Sequence, residues 1–449
     1  MGLFRKSKKE KAKGSGNAEP GETSGPQYGL RRGAVAGAGE AQPAAGGAST
    51  ASGLPRSDAD GGEHPVSAAA GGTTIDQVSQ SVIDGFAYGV PYLRLNTSIL
   101  VACHSEASLS SSLFSEEASM VYSAACYHDV HDVAARDSLD PHVFELVADA
   151  YAHMRRLRQD QAVVLSGVSG SGKSETAKLV CDQLCVLASN GGRHSTRAQY
   201  QMAYLGAIVE AFASAATAES MGATRVGLWQ EVQFNERGRI SGAKLAAFGL
   251  DRWRVTAPLR AGEANFNVFA YLLHGSSSSE RQQWQLRHGD AQAFAYLAQP
   301  QHQRAGADPA HAAQMMDQLR TALKVCGVGS RQQAHVLQVL AAILHLGNVR
   351  FGDAPDRSED AAVVRSPEEV DVCAQLLGVS SAALTAALSY KTALVGGDLC
   401  TVFLNAHGAH AQRDALARAL YHVLFYWLVD QVNRNTSDAE AANHIAVLQ

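Results

Sequence analysis

The sequence predicts an α/β fold built around a phosphate-binding loop and preceded by a disordered tail. Three observations predict it. Gly167-Val-Ser-Gly-Ser-Gly-Lys173-Ser174 stands directly behind the apolar run Gln161-Ala-Val-Val-Leu165. A helical pattern follows over Glu175–Cys185, with Leu179, Val180 and Leu184 on one face. Further on, strand-like runs at Gly227–Phe234 and Arg239–Phe248 give way to long helical patterns.

Strand, glycine-rich turn and helix are the order that a phosphate cradle requires. Glycines let backbone N–H groups close around a polyphosphate. The helix that follows points its positive end at the same anion. Gly167, Ser169, Gly170, Ser171, Gly172 and Glu175 would line the cradle. Lys173 would reach the terminal phosphates, and the Ser174 hydroxyl would ligate Mg²⁺.

The remaining elements fall on either side of this unit. Residues 1–72 are rich in Gly, Ala, Ser and Pro and poor in large apolar side chains. They cannot offset the entropy of ordering, so they are assigned to a disordered tail. Within it, Arg5, Lys6, Lys8, Lys9, Lys11 and Lys13 form a basic cluster that could touch acidic lipid or nucleic acid, although a solvated tail is the simpler reading. Gly2 suggests myristoylation, but Lys6 stands where that pattern wants Ser or Thr. Residues 73–449 form the second division, with order beginning near Thr74. Val82–Val101 carries aromatic and β-branched residues, including Tyr88, Tyr92, Ile99 and Leu100. Asp140-Pro141 reads as N-cap and first helical residue. Val143, Leu146, Val147, Ala150 and Met154 form the apolar face of that helix, and Arg155 and Arg156 suit its C-terminal end.

Beyond the glycine loop, Cys181 and Cys185 face the core or are neutral. Ser189–His194 reads as a loop and Tyr204–Phe212 as a short helix. Asn235–Gly238 makes the turn between the two strands. Residues 260–348 read as mostly helical and Ser358–Ser366 as a polar loop. Leu416, Leu420, Val423, Leu424, Trp427, Leu428 and Val432 mark a strong amphipathic helix. Asn443–Gln449 begins a buried strand.

Composition narrows the class. A hydrophobic share of 46% in 449 residues supports a sizeable core, and a net charge of −5 argues against a nucleic-acid binder. Seven cysteines without paired ligand spacing fit a reduced compartment. No run of about 20 apolar residues spans a membrane, and the charged N-terminus carries no secretory signal.

Several ordered blocks together resemble a myosin motor head. Leu139-Asp-Pro-His-Val-Phe144 is similar to the segment before that family's P-loop unit, and the P-loop itself follows. Glu231–Lys244 resembles the strand pair after switch I. Glu263-Ala-Asn-Phe-Asn-Val-Phe269 and Ala341-Ala-Ile-Leu-His-Leu-Gly-Asn348 resemble two of its helices. Arg413–Tyr421 resembles its long C-terminal helix. Within the family, Ala152–Gln161, Arg239–Lys244 and Leu399–Ala406 with Gln412–Asp414 look most like the divergent head fused to fungal chitin synthases. No glycosyltransferase motif of such enzymes is seen.

The resemblance implies a P-loop NTPase of myosin-head type with a mixed, twisted central sheet flanked by helices. It implies ATP and Mg²⁺ as cofactors and actin filaments as partner. It also implies a cytoplasmic, cytoskeleton-associated setting, with full-length relatives at vesicles and the plasma membrane. Switch I aligns without a gap from Phe212. Thr224 then falls on the Mg²⁺-ligating hydroxyl and Arg225 on the switch I arginine, so both join Lys173 as catalytic candidates. Ser174 and Thr224 become the metal pair. Ser220, Gly222 and Ala223 replace two asparagines and a serine that positions water in the family. Val168 replaces a glutamate in the loop. On the adenine side, His104-Ser105 stands where the family has Asn-Pro.

Switch II would begin at about Gln449, so the fold is expected to stop before it and Arg225 to lack its family ion-pair partner. Three readings stay open. One is a degenerate ATP-binding head that tethers a larger protein to actin or vesicles. The others are a piece of an active motor and a scaffold with a vestigial P-loop.

Overall fold

A computed structural model describes residues 74–103, 111–127, 139–189, 196–286, 290–298, 308–353, 362–396 and 398–449. All of them belong to one compact unit, Glu63–Gln449. The tail 1–72, the loop residues 190–195 and His104 lie outside the described residues.

Helix α1 (Ile75–Ala87) leads into an antiparallel pair, β1 (Tyr92–Asn96) and β2 (Ile99–Ala102). Helices α2 (Glu116–Tyr127) and α3 (Val143–Leu157) precede β3 (Gln161–Val164), the glycine loop and α4 (Lys173–Ser189). Next come α5 (Arg197–Ala213), the short strands β4 (Ser214–Ala215) and β5 (Ala223–Thr224), and the hairpin β6 (Gly227–Phe234) and β7 (Ile240–Phe248). A helical region holds α6 (Asn267–Gly275), α7 (Ser278–Gln283), α8 (Pro309–Val325) and α9 (Ser330–Asn348). Strands β8 (Phe351–Asp353) and β9 (Ala362–Val364), helices α10 (Pro367–Leu377) and α11 (Ser381–Ser389), and the hairpin β10 (Tyr390–Val395) and β11 (Asp398–Phe403) follow. The long α12 (Ala406–Thr436) and β12 (Asn443–Leu448) complete the unit.

The main sheet has the order β3-β12-β6-β7. Strand β12 runs parallel to β3, with Ile445 opposite Gln161, and antiparallel to β6, with Leu448 opposite Trp229. The sheet is therefore mixed. Its central position explains why Ile445, Ala446 and Val447 are buried. Strand β3 lies at one edge, where Val164 is 63% exposed. At the other edge, Asn433 of α12 treats β7 as a strand would. Its Oδ1 accepts from Leu245 N–H at 2.8 Å and its Nδ2 donates to Leu245 O at 2.7 Å. An edge strand needs such a cover.

Sequence expectations hold for most elements. Strand β6 has the expected bounds, and the turn closes with Gly238 N–H donating to Asn235 O at 2.8 Å. Four details differ. The short helix expected at Tyr204–Phe212 is the later part of α5, which begins seven residues earlier, at Arg197, behind a Thr196–Gln199 capping box. The N-cap of α3 is His142 rather than Asp140: its Nδ1 accepts from Phe144 N–H at 3.1 Å, so the helix starts two residues later. The segment 358–366 is not all loop. Its Ala-Val-Val run, with two β-branched residues, pairs as β9 with β8. On α12, Tyr421, Leu424, Phe425, Leu428, Val429 and Val432 are buried, whereas Val423 is 64% exposed and does not belong to the core face. Among the described residues no single helix is long and apolar enough to cross a membrane.

Candidate functional site

The loop between β3 and α4 is built by its glycines. Gly170 and Gly172 have φ of 79° and 86°, a region that side chains with a Cβ rarely adopt. Helix α4 begins at Lys173, with Thr176 N–H and its hydroxyl both donating to Gly172 O at 2.9 and 3.0 Å. The first N–H groups of such a helix have no partner within it and carry the positive end of its dipole. Lys173 folds over the loop and donates to Gly167 O at 2.8 Å and Val168 O at 2.7 Å. The ammonium is thus held at the loop rather than trailing into solvent. Ser171 N–H donates to Val168 O at 3.3 Å and tightens the same turn.

A second segment arrives from α5. Thr217 N–H donates to Ser220 O at 2.7 Å and makes a tight turn. This turn lies on the glycine loop: a Cβ added to Gly170 would sit 3.4 Å from the Glu219 carbonyl oxygen. The chain then enters β5, and the Thr224 hydroxyl meets the Ser174 hydroxyl at 2.9 Å. Residues separated by 50 positions therefore share one point beside the loop. Ala223, one residue earlier, is buried and brings no hydroxyl there.

Arg225 is anchored by backbone and side chain. Its N–H donates to Ala213 O at 2.7 Å, and its carbonyl accepts from Asp251 N–H at 2.9 Å. Its Nε and a terminal guanidinium nitrogen both donate to Asp251 Oδ2, at 3.2 and 2.9 Å. The partner of Arg225 is thus a carboxylate from the turn after β7, a different residue from the family's switch II glutamate. Sequence reasoning missed Asp251 because 26 residues separate it from Arg225, and no motif marks it.

The other expected site residues sort as follows. Ser169, Gly170, Ser171 and Gly172 form the turn itself. Glu175 stands in the first turn of α4 and is exposed, accepting from Lys178 at 3.0 Å. Cys181 and Cys185 on α4 pack against the core as expected, and burial pushes the Cys185 thiol up to about 12. Both remain protonated thiols near neutral pH. Gln449 follows β12, where Leu228 and Gln449 exchange two backbone hydrogen bonds at 3.0 Å. Leu165 N–H donates to Leu448 O at 2.8 Å, so the end of β12 lies at the root of the glycine loop. Among the described residues, no group of three or more His, Cys, Asp or Glu could hold a metal ion.

A mixed sheet flanked by helices thus carries the glycine loop on one strand, with a second hydroxyl-bearing segment bonded to it. The chain belongs to the myosin head family: the pattern described as myosin head (motor domain) matches residues 116–449. Chitin synthase 8 of Mycosarcoma maydis is 36% identical over 361 residues, covering 80% of this chain and 18% of that protein. Chitin synthase 5 of Cryptococcus neoformans var. grubii is 38% identical over 309 residues, 69% of this chain and 16% of that protein. The non-muscle myosin-2 heavy chain of Acanthamoeba castellanii is 33% identical over 306 residues, 68% and 20% respectively. The chain thus spans a fifth or less of the length of these relatives.

Proposed function

We propose that this chain is a myosin-like head that binds MgATP in the Gly167–Ser174 loop. The observation that carries the reading is the Ser174–Thr224 hydroxyl pair at 2.9 Å. Magnesium takes octahedral oxygen ligands at about 2.0–2.1 Å, which puts neighbouring ligands about 2.9 Å apart. The residues present fit the ion and the nucleotide. Ser174 and Thr224 would supply two neutral oxygens to Mg²⁺, while loop N–H groups, the start of α4 and Lys173 would hold phosphate oxygens. The bound ion would neutralise phosphate charge.

The same segment argues against rapid turnover. Ala223, Ser220 and Gly222 leave the family's water-positioning serine and both asparagines without equivalents. Loss of a positioning group costs orders of magnitude in rate. We therefore read the head as a binder that tethers a longer, chitin synthase-type protein to actin filaments at vesicles or the plasma membrane. The names of two relatives, both chitin synthases, support the chitin synthase-type part of that reading.

Equilibrium binding of a fluorescent ATP analogue tests the loop. Lys173→Ala should weaken binding roughly tenfold or more, as expected for loss of a charge-assisted contact. Equal binding by both proteins overturns the assignment. Steady-state phosphate release should stay unchanged on adding actin filaments. Stimulated release would show a motor instead of a tether.

A further inference from the structure

We infer that Asp251 is a positioning residue for the divalent-cation site, acting through Arg225 on the Thr224 hydroxyl. The inference rests on the MgATP reading above and adds a residue to it.

Asp251 is the N-cap of a short 3₁₀ turn, Arg252–Val255, yet its side chain makes no capping hydrogen bond there. Aspartate is among the best capping residues, so a carboxylate at that place ordinarily bonds the turn's own N–H groups. Here it is turned away and bonded to the guanidinium of Arg225. Both side chains are 30% exposed, so the pair is partly shielded from water and from salt.

The contact reaches further than the two charges. Asp251 holds Arg225 at its carbonyl as well as at its guanidinium, and Ala213 O holds the Arg225 N–H. Arg225 is therefore fixed at both ends of its backbone and at its side chain. Thr224 is bonded covalently to Arg225, so its backbone is held wherever Arg225 is held. From that backbone position its hydroxyl reaches Ser174 at 2.9 Å. Strand β5 has two residues, too short to fix that geometry by its own ladder. The clamp from Asp251 supplies what the ladder lacks. A residue that orients a metal ligand without touching the ion typically contributes about 10–100-fold to metal affinity.

The test compares Mg²⁺ dependence with nucleotide affinity. The full chain is titrated with a fluorescent ATP analogue in Mg²⁺ and in EDTA. Wild type should bind more tightly in Mg²⁺. Asp251→Asn keeps shape, backbone bond and capping ability but not the charge. It should lose most of the Mg²⁺-dependent gain, about tenfold, while affinity in EDTA stays at the wild-type value. Asp251→Glu should restore part of the gain. A merely structural role would lower both affinities together, and that result overturns the inference. Asp251→Ser keeps a side chain able to cap the 3₁₀ turn but removes the carboxylate, and should show the same selective loss. It decides the matter if Asp251→Asn fails to fold. A full Mg²⁺ gain in a folded Asp251→Asn or Asp251→Ser protein overturns the inference alone. Failure of wild type to bind the analogue at all overturns the MgATP reading with it.

Discussion

Tyr421 donates its hydroxyl proton to the Phe212 carbonyl at 2.7 Å, and both residues are fully buried. Its ring stacks on Phe266 with centroids 4.8 Å apart. Burial holds the phenol well above its usual value, so it stays a neutral donor at any working pH. Phe212 lies in the last turn of α5, where carbonyls have no intrahelical partner. The next carbonyl, Ala213 O, accepts from Arg225. One helix end is thus satisfied by α12 and by the segment that carries Thr224. Tyr421→Phe leaves a buried carbonyl unpaired, at a cost of about 1–3 kcal/mol. A melting temperature lower by a few degrees, with the ring packing retained, is the expected result. A variant as stable as wild type would mean that water replaces the hydroxyl. Arg413–Tyr421 was recognisable as a block in the sequence, but the reason for a tyrosine there was not. Its partner lies 209 residues away, and no local pattern encodes that distance.

At the scale of elements, legibility follows the range of the determining interaction. Turn and cap chemistry is local, so the β6–β7 hairpin and the glycine loop could be read from a few residues. The start of α3 was misplaced because Asp140-Pro141 is a good local start signal and histidine is an uncommon cap. The tertiary setting chose His142, whose ring packs against Tyr92, Phe114, Tyr122 and Phe144. Helix α7 shows a cap whose strength is tunable by pH. Ser277 and Glu280 form a capping box, and Glu280 also accepts from Arg320 of α8 at 2.9 Å with both oxygens. Partial burial opposes ionisation of Glu280, but the Ser277 N–H and hydroxyl and the Arg320 guanidinium outweigh it, and the carboxyl falls below its ordinary value of 4.5. A lowered folded-state value contributes stability that is present above the unfolded value and is lost as pH falls through the folded one. Glu280→Gln should therefore melt below wild type at pH 7, and the gap should close as pH drops below 4.5. A gap that persists unchanged into acid would assign the effect to shape rather than charge.

At the scale of the whole molecule, the last strand joins what the rest of the chain builds separately. The α3–β3–α4 unit carries the glycine loop, and the β6–β7 hairpin carries the exit from Thr224 and Arg225. These two parts do not pair with each other: β12 lies between them, parallel to one and antiparallel to the other. The Ser174–Thr224 contact thus depends on a strand more than 200 residues away in sequence, beginning at Asn443. This dependence was hidden in the sequence, where His444–Leu448 reads only as a buried strand without a stated neighbour. Removing residues 443–449 would strip the ladder from β3 and from β6 at once and expose the apolar faces that Ile445 and Val447 cover. A short strand such as β3 does not hold its place without neighbours. The shortened chain should lose its cooperative thermal transition and its binding of the ATP analogue together. If it instead melts cooperatively at the wild-type temperature and still binds the analogue, the sheet has closed without β12. The coupling between the two halves of the site would then have to run through contacts that bypass β12, such as the Tyr151 hydroxyl donating to Gly238 O at 2.8 Å.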